Sequence, residues 1–309
     1  MTSNKLMHKL IRSLRDPKHL LLGLAYRGVF NWVPDGLFLQ IKYKLIIGKR
    51  LRLNAPETFN EKIQWLKIND HDDRHTKMAD KIECRKYIGE KIGKKYLVPL
   101  IDTYDTVDDI DFSVLPSKFV LKTNHDSGGV VLCNDLSILD IEAAKKKLSK
   151  SLKVNYYYSS REYPYKNITP KILCEKYLAD EIVDYKMMCF NGKVKCSFTC
   201  SERQSKLGLA VDFFDMNWQR MPFTRHYRNT ASPLPRPKHY SKMLKIAEKL
   251  ASGITFLRVD FYEINGNLYI GELTFYPGSG FEEFTPEEYD YLLGSWLDIG
   301  QVAKVGPGR

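Results

Sequence analysis

The stretch Leu257-Arg-Val-Asp-Phe-Tyr-Glu-Ile-Asn-Gly-Asn-Leu-Tyr-Ile-Gly-Glu-Leu-Thr-Phe275 alternates apolar and polar residues on both sides of Asn265-Gly266. Alternation at period two marks a strand with one buried face, and Asn-Gly is a hairpin signal because both turn positions need a positive φ. Two antiparallel strands are therefore expected, Thr255–Ile264 and Asn267–Phe275. A second Asn-Gly, Asn191-Gly192, joins Asp184–Phe190 to Lys193–Thr199, and further strands are read at Lys118–Thr123, Lys171–Tyr177 and Val211–Phe214. Helices are expected from Thr58, whose capping partner Glu61 stands three residues on, near Lys77–Ile88, over 141–153 and over Ser241–Ser252. Asp102 to Asp111 reads as a surface connection. Antiparallel strands mixed with helices make the fold class α+β.

Whether the hairpin carries chemistry depends on its register. Asp260 and Glu272 face the same side only if paired positions share parity, because side chains alternate along a strand. A strict two-residue turn would pair Ile264 with Asn267 and point the two carboxylates to opposite faces. The metal reading requires a three-residue loop, Ile264-Asn265-Gly266, with Gly266 left-handed and a bulge. Leu257, Val259, Phe261, Leu273 and Phe275 then form the core face, with Arg258, Asp260, Glu272 and Thr274 on the other. Two such carboxylates suit Mg²⁺, a hard cation that takes oxygen ligands and bridges to phosphates. The competing reading is an amphipathic hairpin with a solvated, salt-bridged face.

Two upstream segments have phosphate-binding chemistry. In Lys118-Phe-Val-Leu-Lys-Thr-Asn-His-Asp-Ser-Gly-Gly129, Lys122 ends a strand as a point charge, and Ser127, Gly128 and Gly129 supply backbone N–H groups free to close over phosphates. The segment lacks the Gly-Lys-Ser/Thr ending of a Walker loop. Lys171-Ile-Leu-Cys-Glu-Lys-Tyr-Leu178 has a strand-to-hinge form with Glu175 and Lys176 at its end. Tyr156 to Tyr158, Arg161, Tyr163 and Tyr165 form an aromatic-basic cluster, since aromatic faces stack on sugars and arginine grips carboxylates. His125 and Ser127 are candidate acid-base or flap groups, and Asp70-His-Asp72 and Asp109-Ile-Asp111 are read as solvated charge.

The 309 residues hold 48 Lys and Arg against 37 Asp and Glu, a net +11 that points to acidic partners. No zinc-finger spacing, basic zipper or ribonucleoprotein motif carries a nucleic-acid reading, so no nucleic-acid partner is expected. Six cysteines form no CxxC pair, which fits a reducing, cytoplasmic setting. No stretch approaches the roughly 18 apolar residues of a membrane span. The first 50 residues mix basic and apolar side chains, either as a peripheral contact with the inner membrane face or as packing on the protein itself.

Arg258-Val-Asp260-Phe and Glu272-Leu-Thr274, with Pro277-Gly278 beyond, resemble the ATP-grasp superfamily that includes D-alanine:D-alanine ligase. Thr274 stands where the superfamily usually has Asn. More closely, the run from about Leu51 to Trp296 resembles the TupA-like ATP-grasp family of bacterial capsule and cell-wall polysaccharide loci, through Thr58–Leu66, Phe119–His125, Asn155–Tyr158 with Arg161-Glu162, and Gly271–Phe281. The resemblance implies a nucleotide cleft between two α+β lobes, with ATP and Mg²⁺ as cofactors. It implies ATP contacts from Lys122, Ser127, Gly128, Gly129, Glu175, Lys176 and Leu178, a ribose contact from Glu181 or Asp184, and metal ligands Asp260, Glu272 and Thr274. Arg258 and Lys122 take the catalytic roles, and Tyr158, Arg161, Tyr163, Ser279 and Gly280 the acceptor. The implied organisation is a basic helical extension (1–53), an N-terminal lobe (54–116), a lid lobe (117–180), a metal lobe (181–299) and a tail (300–309). The implied reaction joins a carboxylate on an acidic saccharide or glycan to a small amine or amino acid. Glycosyl transfer, a sugar kinase on the same scaffold and a binding protein with a decayed site stay open.

Overall fold

Asn265 and Gly266 both take positive φ, 50° and 76°, so the hairpin turns in two residues and pairs Ile264 with Asn267. The expected three-residue loop is not used. The register is corrected further along: Ile270 pairs with Phe261 but Leu273 pairs with Val259, which sets Gly271 and Glu272 together against Asp260. This bulge inserts one residue and flips every later side chain of its strand to the other face. Before it Leu268 and Ile270 are buried, and after it Leu273 and Phe275. Asp260 and Glu272 thus share a face, through a bulge placed at the chemistry instead of at the turn.

A computed structural model describes residues 17–26, 28–202, 205–300 and 302 of the chain. The ends of the expected extension and tail, 1–16 and 303–309, lie outside the described residues. In chain order the strands are β1 (Leu100–Tyr104), β2 (Phe119–Thr123), β3 (Val130–Cys133), β4 (Ile172–Lys176), β5 (Asp184–Phe190), β6 (Lys193–Ser201), β7 (Ala210–Phe214), β8 (Thr224–Arg225), β9 (Phe256–Ile264), β10 (Asn267–Thr274) and β11 (Phe284–Thr285). The hairpin β9-β10 joins an antiparallel five-stranded sheet in the order β10-β9-β5-β6-β7.

One face of this sheet is core. Helix Tyr240–Leu250 buries Tyr240, Met243, Ile246, Ala247 and Leu250 against it, an apolar stripe at helical spacing. Helix Phe59–Asn69 starts with both halves of its capping box formed, and its Phe59 ring meets Phe190 and Phe256 at 5.7 and 5.1 Å. The expected helix over 77–88 divides into Asp73–Ala79 and Cys84–Ile92, because the Asp80 carboxylate turns back to accept the Ile82 amide.

A second antiparallel sheet, ordered β1-β4-β2-β3, packs Phe119, Leu121, Ile172 and Cys174 under helix Ile141–Leu152. Tyr104, Ile110, Phe112 and Leu115 belong to this same core, so the expected break between 116 and 117 falls inside one lobe. The stretch from Asp102 that reads as a connection begins within strand β1, where Asp102 is exposed to solvent. A third cluster joins helix Asp35–Ile47 to Leu51 and Phe281, seating the N-terminal helices on the loop that follows the hairpin. The six cysteines form no disulfide and are all buried, Cys133 and Cys174 in the four-stranded lobe and the other four in the main core.

The bulge depends on a missing side chain. A Cβ on Gly271 would stand 2.7 Å from the Tyr262 ring. Gly271→Ala should cost about 1–3 kcal/mol in denaturant unfolding, and most of that penalty should vanish in a Tyr262→Ala background. An unchanged penalty there would show that the ring is not what excludes the side chain.

Candidate functional site

The polar face of the five-stranded sheet gathers its charged residues by register. Lys186 on β5 pairs with Asp260 on β9, and Met188 with Arg258. The Arg258 guanidinium donates from Nε and Nη2 to Asp260 at 2.7 and 2.8 Å, and from Nη2 to Glu272 Oε1 at 2.5 Å. Lys186 Nζ also donates to Asp260, at the Oδ2 that Arg258 Nη2 reaches, and lies 3.8 Å from Asp184. Asp260 is 1% exposed, whereas the Glu272 side chain is 40% exposed and faces outward from the same guanidinium. Burial pushes Glu272 up, but Arg258, Lys186 and Lys81 outweigh it and hold the carboxyl down at about 2.

Arg258, expected in a catalytic role, donates to both carboxylates and fixes them in place. Asp184, a candidate ribose contact, lies in this buried charge cluster, two residues from Lys186 along β5. Thr274 pairs with Arg258 and shares the face. Among the described residues, no group of three His, Cys, Asp or Glu side chains stands ready to hold a metal ion. Two carboxylates and one hydroxyl therefore fit a cation that arrives with phosphate, since Mg²⁺ keeps several waters and takes only one or two carboxylates in such sites.

Opposite this face, the four-stranded sheet presents Lys122 and Glu175. Their side chains meet at 2.8 Å, and Arg85 of helix Cys84–Ile92 donates to the other Glu175 oxygen at 3.0 Å. Strand alternation decides what else points this way: Val120 pairs with Glu175 and Lys122 with Leu173, so these four share the cleft face. Lys176 pairs with Phe119 and stands exposed on the opposite face, while its backbone N–H is taken by Pro99. Its expected phosphate contact is corrected on that ground. Leu178 is half-buried and Glu181 exposed in the hinge after β4.

The flap between β2 and β3 is anchored at one end. The Asp126 carboxylate accepts from Thr123 and Ser151, and its carbonyl accepts from Lys81 Nζ at 2.5 Å. Ser127 and Gly128 stand exposed at the tip, and Gly129 is buried at the start of β3. His125 is 1% exposed, with Nε2 3.1 Å from the Val154 carbonyl, which makes it part of the packing.

Lys81, Arg85, Lys122, Glu175, Gly271 and Glu272 line one cleft between the two sheets. Lys81 and Lys186 escape sequence reasoning. Lys186 has a signal, a lone cation in the otherwise apolar run Tyr185–Phe190; Lys81 follows a short helix and has none.

The expected acceptor cluster divides. Arg161 is 1% exposed, donates to the Phe30 carbonyl at 2.8 Å, lies 3.2 Å from Asp35 and stacks over Phe38 and Tyr158. It is a rivet for the N-terminal helices, out of reach of any acceptor, and Tyr158 packs on it. Tyr163 donates to Asp73 at 2.9 Å and stacks on His71. Ser279 and Gly280 belong to a loop in which Gly278, Ser279 and Gly280 all have positive φ, 58°, 52° and 63°. Helix Phe59–Asn69 holds that loop: Gln64 donates to the carbonyls of both Ser279 and Gly280, and Lys67 Nζ to that of Ser279 at 2.8 Å. Ser279 Oγ donates to the buried Glu162 carboxylate. Burial pushes Lys67 down and Glu162 up, each opposed by the other.

A family model described as TupA-like ATPgrasp matches residues 61–298. No curated protein matches the sequence. Among solved structures, D-alanine–D-alanine ligase from Bacillus anthracis is similar at 18% identity over 64% of this chain and 56% of that one, with a TM-score of 0.36. N5-carboxyaminoimidazole synthetase from Staphylococcus aureus aligns at 18% identity over 64% of this chain and 44% of that one, TM-score 0.38. D-alanine–D-alanine ligase from Helicobacter pylori aligns at 15% identity over 72% and 61%, TM-score 0.36. The chain thus matches about half of each of these proteins' lengths.

Glu272 gives the site a pH signature. Its carboxyl is held from the ordinary 4.5 down to about 2, so the stability it contributes is fully present above about 4.5 and is lost as pH falls toward 2. Glu272→Gln should flatten the decline of unfolding free energy across that window. An acid limb identical to that of the unsubstituted chain would show that Arg258 does not hold this carboxylate.

Proposed function

The chain belongs to the TupA-like ATP-grasp family, and from that premise we propose that it is an ATP- and Mg²⁺-dependent carboxylate–amine ligase acting on a uronic-acid-type sugar in capsular or cell-wall polysaccharide synthesis. The observation that carries the reading is one cleft lined by Lys81, Lys122 and Glu272 between two antiparallel sheets. Cations on one wall and carboxylates on the other match what phosphoryl transfer asks of a protein, which is chiefly positioning and charge stabilisation. Asp260, Glu272 and Thr274 would hold Mg²⁺, which when bound neutralises charge on the phosphate oxygens.

In this reading Lys81 and Lys122 hold phosphate oxygens while Ser127 and Gly128 close over them. Lys122 leaves its pair with Glu175 to do so, and Arg85 keeps Glu175 compensated. A substrate carboxylate attacks the γ-phosphorus, the bond from the γ-phosphorus to the β–γ bridging oxygen breaks, and an acyl phosphate and ADP result. The amine then attacks the acyl carbon, phosphate leaves, and the amine nitrogen gives up a proton to form the amide. The loop Gly278–Gly280 lies where the chain leaves the carboxylate strand, and its rigid support by Gln64 and Lys67 suits an acceptor-positioning element. The basic balance of the chain, +11, favours an acidic acceptor.

ADP release should require a uronic acid or uronyl glycan and an amine together. Release with a sugar lacking any carboxylate would identify a kinase, and thermal stabilisation by nucleotide sugars but not by ATP with Mg²⁺ would identify glycosyl transfer. Lys81→Met or Lys122→Met should weaken ATP binding by about tenfold to a hundredfold, the worth of one charge-assisted contact. Asp260→Asn should abolish Mg²⁺-dependent ADP release, and full turnover by that variant would place the metal elsewhere.

A further inference from the structure

Helix Asp35–Ile47 has two contrasting faces. Phe38, Leu39 and Tyr43 are buried against the body. On the other side Leu37 and Ile41 are 51% and 50% exposed, with Gln40 and Lys44 completing a stripe at i, i+3, i+4 and i+7. The turn before this helix lifts Trp32 to 80% exposure and leaves Val29 exposed as well. Exposed apolar side chains scattered singly are ordinary, but an exposed tryptophan followed by two exposed apolar residues on one face of the next helix marks a contact surface.

Charge identifies the occupant. Residues 28–50 contain four Lys or Arg against one Asp, a net +3, and that acid, Asp35, is already bound to Arg161 and Tyr157. A second copy of the chain would bring two positively charged segments together, which costs free energy. An anionic bilayer offers the opposite sign, an apolar layer for Leu37 and Ile41 and the headgroup level that tryptophan prefers. We propose that this face, centred on Trp32, Leu37 and Ile41, docks the enzyme on an anionic phospholipid surface. Lys42 of the same helix reaches back to Ser159 and Ser160 and lies over Phe281. Docking would therefore place the loop Gly278–Gly280 about one helix diameter, roughly 10 Å, behind the membrane surface.

The test is co-sedimentation of the full chain with phosphatidylcholine vesicles, with and without phosphatidylglycerol, at low and high salt. Binding is expected on the phosphatidylglycerol vesicles and should fall with salt. The combined variant Trp32→Ser, Leu37→Gln, Ile41→Gln should bind them at least about tenfold more weakly, with an unchanged melting midpoint because all three side chains are exposed. Equal binding by variant and unsubstituted chain, or no binding of either at low salt, would overturn the proposal. So would a dimer in solution that the same variant dissolves, since the face would then join two copies. ATP-dependent turnover does not enter this readout, so it stands or fails separately from the ligase reading.

Discussion

Two carboxylates on adjacent strands repel, and burying them without compensation would cost several kcal/mol. Here one guanidinium, that of Arg258, donates to both, and Lys186 adds a second cation to Asp260. That shared cation is the constraint on which the rest depends. It requires Arg258, Asp260 and Glu272 on one face, which requires the bulge at Gly271-Glu272, which in turn requires a glycine under the Tyr262 ring. The remaining elements support this arrangement: the helix Tyr240–Leu250 backs the sheet, and the helix Phe59–Asn69 fixes the loop that leaves it.

Much of this was legible because burial follows period. The strands β5, β6, β9 and β10 and the capped helix at Thr58 appear where alternation and capping chemistry place them. The bulge was also written in the letters, in a form that simple alternation misses: apolar residues at 268 and 270 are followed by 273 and 275, and the three-residue step marks the inserted position. Turn chemistry drew attention to Asn265-Gly266, while hydrophobic phase put the irregularity at Gly271-Glu272, five residues beyond the turn.

What escaped the sequence was partnership across long separations. Arg161 and Tyr158 look like a ligand-binding cluster by composition, yet the arginine spans more than a hundred residues to cap carbonyls at Phe30 and Val33. Lys176 and Lys122 look equivalent, and the pleat turns one of them out of the cleft. Lys81 gains its place only where its amide meets the Asn124 carbonyl and its amine the Asp126 carbonyl. Local composition names residue types suited to a site; strand parity and tertiary packing decide which of them arrive there.

The six buried thiols carry a consequence for experiment. Burial raises the pKa of Cys84, Cys174, Cys189 and Cys196 far enough to leave almost no thiolate at neutral pH, so alkylating reagents report opening and little else. Cys133 and Cys174 sit in the four-stranded lobe and Cys189, Cys196 and Cys200 in the five-stranded one. The native chain therefore contains a separate labelling clock in each lobe, and mass spectrometry of alkylated peptides would read their opening rates side by side without any engineered probe.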